Sequence, residues 1–166
     1  MNYPIRTRQS RFGEGPVAGP IPTPQSPQVQ YVEDFFIYEF DFAGIAPGAT
    51  VNGSITIQAD SDFKLVKLAQ FSDIAAAAQL SGTLVVPLIS LSVIDTGSGR
   101  QLFSAPVPMG AIFGNGTLPF ILPVPRIFKA RTNISLTFVN YDAAATYNIR
   151  TCFIGSKIFQ MGPPAQ

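Results

Sequence analysis

The sequence predicts an all-β fold: an antiparallel β-sandwich, jelly-roll-like, of about eight strands, with an extended N-terminal arm. Three observations favour it. After residue 30, apolar and polar residues alternate with a period of two in several separate runs. Short turns rich in Gly, Pro, Asn and Asp separate these runs. No segment is long enough for the helix of a βαβ crossover, so antiparallel pairing is expected.

Residues 1–30 form the predicted arm. They contain six of the fifteen prolines and three arginines. Spaced prolines block both helix and ladder hydrogen bonds, so the segment is expected to be extended or polyproline-like, with a reach of about 90 Å. We expect it to bind neighbouring subunits; the alternative is a disordered leader. The residues assigned to this contact are Arg6, Arg8, Arg11, Pro16, Pro20, Pro22 and Pro24.

Three strands are predicted in the first half of the domain, which we place at residues 31–160. Aromatic residues occupy every second position of residues 36–42, which indicates a strand with one aromatic face. After a short turn, residues 50–59 show the most regular alternation in the chain. A third run follows at residues 63–71. Residues 73–80 include four consecutive alanines and are expected to form one or two helical turns in a connection.

The second half of the domain continues this pattern. Residues 84–94 predict an apolar strand in which Pro87 indicates an edge or a bulge. A glycine-rich turn leads back through residues 101–105, and residues 106–116 are expected to be a loop. Residues 118–128 are expected to be an extended segment that three prolines interrupt. The last predicted strands are residues 134–138 and 147–154, with a short piece at 157–160, before a C-terminal tail at 161–166.

The composition excludes several classes of site. The chain has no histidine, so it lacks the usual general base and the commonest metal ligand. Its single cysteine, Cys152, cannot form an intramolecular disulfide. No apolar stretch reaches the length of about eighteen residues that a membrane span needs, and the first residues lack an apolar signal-peptide core. We therefore expect no cofactor, no metal and no membrane association.

Charge is distributed unevenly along the chain. Residues 1–30 contain three arginines and one glutamate, residues 31–95 two lysines and eight acids, and residues 96–166 six basic residues and one acid. If the two halves occupy different faces, the molecule has oppositely charged sides and could associate head to tail. If their strands interleave within the sheets, the charges cancel locally. This pattern argues against nucleic acid as a partner, because the basic residues are few and scattered.

One motif points to an enzyme. Asp95-Thr96-Gly97-Ser98 follows an apolar run and is similar to the active-site motif of aspartic proteases, in which two carboxylates share a proton and activate water. Residues 153–155 (Phe-Ile-Gly) resemble the apolar segment that supports this aspartate in the retroviral type. Only one such motif is present, so the enzyme would be a homodimer. The alternative is that these residues form a turn between two strands.

Three short sequence segments resemble those of a known protein family. They are Arg100-Gln101-Leu102-Phe103, Leu118-Pro119-Phe120-Ile121-Leu122-Pro123 and Phe138-Val139-Asn140-Tyr141. The chain from about residue 88 to residue 159 resembles the small β-sandwich structural proteins of tailed bacteriophage virions, particularly the head-associated auxiliary proteins that decorate or cement the capsid. This resemblance implies a non-enzymatic virion component that binds major capsid subunits or neighbouring virion proteins.

The composition is consistent with such a role. Only 13% of the residues are charged, against roughly 25% in ordinary domains, and the mean hydropathy is +0.26. Surplus apolar area and a long arm favour burial in an assembly. We therefore expect a homo-oligomer at the capsid surface of a virion, made in the host cytoplasm. The alternatives are a neck, collar or tail-associated virion protein and, from another class, the homodimeric aspartic protease using Asp95.

Overall fold

Two antiparallel β-sheets pack face to face in the computed structural model, which describes residues 29–75 and 85–161. The elements are β1 (Gln30–Ile45), β2 (Thr50–Thr56), β3 (Asp62–Ile74), β4 (Ile89–Asp95), β5 (Arg100–Gln101), β6 (Val107–Pro108), α1 (Met109–Ile112), β7 (Phe120–Phe128), β8 (Asn133–Asn140) and β9 (Tyr147–Met161). Sheet A has the order β1-β9-β3-β7, and sheet B has the order β2-β8-β4-β5, with β6 also paired to β4. The predicted all-β sandwich is confirmed.

The strand order is that of a jelly roll. The first strand pairs with the last, the second with the last but one, and β3 with β7. β4 completes this nested order by pairing with two short strands, β5 and β6. Counting those two short pieces as one strand gives eight strands in two four-stranded sheets with nested pairing, which defines the jelly-roll architecture.

Aromatic side chains fill the space between the sheets. On β1, Tyr38 and Phe40 are buried, whereas Phe35 on the opposite face is exposed. The Phe40 ring lies 5.0 Å from the ring of Phe153 on β9, and Tyr38 packs edge-on against Phe63 at 4.8 Å. Such aromatic pairs stabilise the core beyond the area that they bury. The predicted aromatic face of this strand is therefore the core face.

Several details differ from the sequence prediction. The strand predicted at residues 84–94 begins at Ile89, so Pro87 precedes it, and the strand predicted at residues 101–105 ends at Gln101. The strand predicted to end at residue 71 continues to Ile74, because β9 remains beside it as a pairing partner. The predicted helical turns therefore begin inside a strand, and residues 76–80 lie outside the described part of the chain. The loop predicted at residues 106–116 contains β6 and α1. The separate last piece at 157–160 is the end of one continuous strand, β9.

The predicted arm lies almost entirely outside the described residues. The description begins at Val29, and β1 begins at Gln30, so the seven arm residues assigned to partner binding are not described. At the other end Met161 completes β9, and residues 162–166 of the predicted tail are likewise outside the description. Within the described ranges, no helix is both long and apolar enough to cross a membrane.

Candidate functional site

The outer face of sheet A exposes large apolar side chains. We call it the docking face and define it by Phe35, Ile37, Phe71, Ile121, Ile127 and Ile154. Strand register assembles it from all four strands. Ile37 on β1 pairs with Ile154 on β9. In the neighbouring row of paired residues, Phe35 lies on the edge strand β1 and Ile127 on the opposite edge strand, β7. Residues that are far apart in sequence therefore share one surface.

Several of these side chains are unusually accessible. Phe35 exposes 73% of its surface, Ile121 62%, Phe71 54% and Ile127 50%. Soluble monomers rarely expose large contiguous apolar patches, and such patches often mark interaction sites. Single exposed apolar residues are ordinary. Their grouping on one side of one sheet is what identifies this face as the candidate functional surface.

Ion pairs lie among the apolar side chains. Lys64 Nζ donates to Glu33 Oε1 at 2.9 Å, and the Ser156 hydroxyl donates to Glu33 Oε2 at 2.8 Å. The hydrogen bond from Lys64 lowers the pKa of Glu33, and the bond from Ser156 adds to this effect. At the other end, Arg150 lies 3.4 Å from Asp41. Apolar contacts bordered by polar groups are the usual composition of a protein interface.

The outer face of sheet B has a different character. Its exposed or partly buried positions are mostly small and uncharged: Thr50, Asn52, Ser54, Thr56, Ser92, Asn133, Ser135 and Thr137. Thr137 Oγ1 donates to Asn52 Oδ1 at 2.6 Å, so part of this surface satisfies its own hydrogen bonds. The alternation predicted for residues 50–59 is therefore confirmed for β2, with its polar side facing outward. The outer face of sheet A therefore has large apolar side chains among charged ones, whereas the outer face of sheet B has mostly small, uncharged side chains.

Asp95 organises the turn between β4 and β5. Its Oδ1 accepts hydrogen bonds from the backbone N–H groups of Gly97 and Ser98 at 3.1 and 3.2 Å, and its Oδ2 accepts one from Ser98 Oγ at 2.6 Å. The side chain is 5% exposed. Asp95 lies in sheet B, whereas residues 153–155 belong to β9 of sheet A. The geometry favours the turn interpretation of the motif, which needs no partner carboxylate.

A buried lysine is the feature that sequence reasoning missed. Lys157 points into one end of the core, where its ammonium group donates to Gln58 and to Asp60 Oδ2, the latter at 2.9 Å. It also lies 4.5 Å from the centre of the Phe36 ring, a cation–π arrangement. The alternation along β9 places position 157 on the inner face. This pattern was the available signal, but a charged residue near the end of a strand is usually taken to face solvent.

The acids beside this lysine are also paired. The hydrogen bond from Lys157 lowers the pKa of Asp60. Asp62 accepts from Lys129 Nζ at 2.7 Å and from the Ala130 N–H at 2.9 Å. Across the described ranges, no group of three or more potential ligand side chains could hold a metal ion. These carboxylates hold lysines and turns in place.

The same contacts decide between the two charge arrangements. The ion pairs Arg150–Asp41, Lys157–Asp60 and Lys129–Asp62 each join a base from the second half of the chain to an acid from the first. The first two form because β9 lies between β1 and β3 in sheet A, and the third forms because β7 lies beside β3. The halves interleave and the charges cancel locally, so the alternative of two oppositely charged sides is wrong.

Comparisons with known proteins give little on function. No protein-family model matches the chain, and no curated protein matches it. Among solved structures the chain is similar to the protein in the crystal structure of the infectious bursal disease virus VP2 subviral particle, with 11% identity and a TM-score of 0.29. The match covers 89% of this chain and 47% of that one, so the chain spans about half the length of the VP2 chain. A superposition this loose supports no functional conclusion, and the strand order remains the evidence on the fold.

Proposed function

We propose that this chain is a non-enzymatic structural protein of a virion that docks on the capsid shell and stabilises or decorates it. The observation on which the proposal rests is the docking face. Phe35, Ile121 and Ile127 lie on one side of sheet A with half or more of their surfaces exposed. Burying that surface against a partner removes apolar area from water, which is the main source of free energy in association.

The fold is compatible with this role. Eight-stranded jelly rolls occur in viral capsid and lectin domains. A fold alone does not determine function, so it serves here only as analogy. The resemblance of residues 88–159 to phage head-associated proteins points in the same direction. The partners we propose are a major capsid protein or neighbouring virion proteins, with the chain itself forming a homo-oligomer in the particle.

In this proposal the N-terminal arm binds neighbouring subunits. Residues 1–30 combine arginines with spaced prolines and join the domain at β1, the strand that contributes Phe35 and Ile37 to the docking face. The arm therefore leaves the domain beside the surface that we propose to be buried. A neck, collar or tail position would use the same contacts at another place in the particle.

Binding to purified particles tests the proposal. The doubly substituted variant Phe35→Asp/Ile127→Asp places two carboxylates on the docking face, and we expect at least a tenfold loss of particle-bound protein. The matched control, Ser54→Asp/Thr137→Asp, places two carboxylates on the outer face of sheet B and should bind as the parent protein does. Equal binding by both variants would refute docking through sheet A, and electron microscopy of the complexes separates head from neck or tail positions.

A further inference from the structure

The long strand β1 lies at one edge of sheet A, as far as the described residues define the sheet. β1 has 16 residues and pairs with β9 on one side. Within the described residues no strand pairs with its other side. Such an edge presents a row of unpaired backbone N–H and C=O groups, and folded proteins cover or interrupt edges of this kind. The exposed Phe35 and Ile37 lie on this same strand.

We infer that residues 5–12 of the chain's own arm add to this edge as an antiparallel strand. This segment lies between Pro4 and Pro16 and contains no proline, so each of its residues can donate to a β-ladder. The rest of the arm, in contrast, has prolines at short intervals from Pro16 to Pro27. The inference goes beyond the proposed docking function, because the pairing is a property of the free subunit.

Charge selects the register. Glu39 and Asp41 are two residues apart on the outer side of β1, and Arg6 and Arg8 are two residues apart in the arm. Glu39 has no ion-pair partner among the described residues, and the one partner of Asp41, Arg150, is largely exposed. Aligning both arginines with both acids gives four outward pairs: Arg6 with Asp41, Arg8 with Glu39, Ser10 with Ile37, and Phe12 with Phe35.

The same register places the ring of Phe12 beside the ring of Phe35 as a cross-strand pair. Phe35 is the most exposed large apolar side chain of β1, and Phe12 is the only phenylalanine of the arm. Cross-strand aromatic pairs stabilise sheets. A slip of one residue would turn the arginines towards the core side of the strand. A parallel alignment of the same charges would put Phe12 beside Ile45, which is already buried.

The connection is long enough for the pairing to occur within one chain. Phe35 is six residues from Val29, a distance of about 20 Å along the strand. The 16 residues from 13 to 28 can span about 50 Å when extended. They include Gly13 and Gly15, which permit a reversal of direction. Intramolecular pairing has an effective concentration near the millimolar range, so at micromolar protein it outcompetes a second copy.

Disulfide trapping in the full-length chain tests the register. In a Cys152→Ser background, Ser10→Cys is combined with Ile37→Cys, and the protein is oxidised at low micromolar concentration. We expect an intrachain disulfide, mapped by mass spectrometry, at least tenfold faster than in the control that combines Ser10→Cys with Ser54→Cys on sheet B. Equal rates in both proteins, or a disulfide-linked dimer as the main product, would overturn the inference.

Exchanging the charges of Arg8 and Glu39 provides a second, independent test. Either Arg8→Glu or Glu39→Arg alone should slow formation of the 10–37 disulfide severalfold, and the two together should restore the rate. A double variant as slow as the single ones would contradict the Arg8–Glu39 pairing. Circular dichroism confirms that each variant is folded. Disulfide formation is measured without particles, so it can succeed where the docking proposal fails, and the reverse.

Discussion

Gly155 on β9 lies so close to the carbonyl oxygen of Lys64 on β3 that a β-carbon at this position would overlap it. The strand register shifts at this point, between Leu65 and Lys67, which is the signature of a β-bulge. The bulge brings one backbone against the other in the middle of sheet A. Glycine is the residue that permits such an approach. Its presence after Phe153 and Ile154 therefore has a structural reason that is independent of any protease.

Replacing this glycine should destabilise the fold. Gly155→Ala forces a β-carbon against a backbone that cannot turn aside, and we expect a loss of about 3 kcal/mol in the free energy of unfolding. Gly116→Ala is the control, because its β-carbon would meet open space, and its effect should stay within about 0.5 kcal/mol. Urea unfolding measures both. Equal midpoints for the two variants would contradict the assigned bulge.

Asn140 should be intolerant of a change in its amide. It is fully buried at the end of β8, where its Nδ2 donates to the carbonyl oxygens of Ile45, Ala46 and Ala145 at 2.9–3.1 Å. Asn140→Asp leaves those acceptors facing a carboxyl group, and we expect a loss of about 3 kcal/mol. Asn52→Asp, on the exposed side of β2, should change stability little. Similar unfolding midpoints for both variants would show that the buried amide is dispensable.

Asp142 should contribute an acid-sensitive part of the stability. Hydrogen bonds from the backbone N–H groups of Ala144 and Ala145, and then from the Tyr147 hydroxyl, hold its pKa below the ordinary value. A carboxyl group with a lower pKa in the folded state stabilises the protein above about pH 4, and this stabilisation is lost as the pH falls through the folded-state pKa. The gap in unfolding free energy between the parent protein and Asp142→Asn should therefore narrow from pH 7 to pH 3. A gap of constant size would exclude this role.

Two phenylalanines on opposite sides of β1 should contribute very differently to the free energy of unfolding. Phe40 is 4% exposed and packs against Phe153 in the core, so Phe40→Ala should cost about 3 to 5 kcal/mol. Phe35→Ala removes an exposed ring from the same strand and should have little effect on the isolated protein. Denaturant unfolding of the two variants compares them directly. A comparable loss in both would mean that the faces of the strand are assigned wrongly.

The sequence was most informative where side chains alternate without interruption. The aromatic positions of β1 and the polar positions of β2 identify their faces, because in a sheet with one buried side the period of two has a single solution. The Asp95 turn follows from the local chemistry of Asp, Gly and Ser. Both are short-range properties of the chain.

Long-range features could not be read in this way. The docking face depends on Ile37 and Ile154 pairing across β1 and β9, with Ile121 in the same row on β7, beyond Lys67 of β3. Strand order is not encoded in any one of these residues. Lys157 looks like a solvated residue until Gln58 and Asp60 are placed beside it. β3 continues beyond its predicted end at residue 71 because pairing with β9 extends the strand past its own apolar pattern.

Cysteine accessibility in the assembled particle tests whether the outer face of sheet A is buried there. In a Cys152→Ser background, Phe35→Cys marks the docking face and Ser54→Cys marks the outer face of sheet B. Each protein is treated with a maleimide, first free and then bound to particles. If the protein docks through sheet A, position 35 reacts in the free protein and is protected in the particle, while position 54 reacts in both. Equal labelling of position 35 in the two states would contradict docking through sheet A.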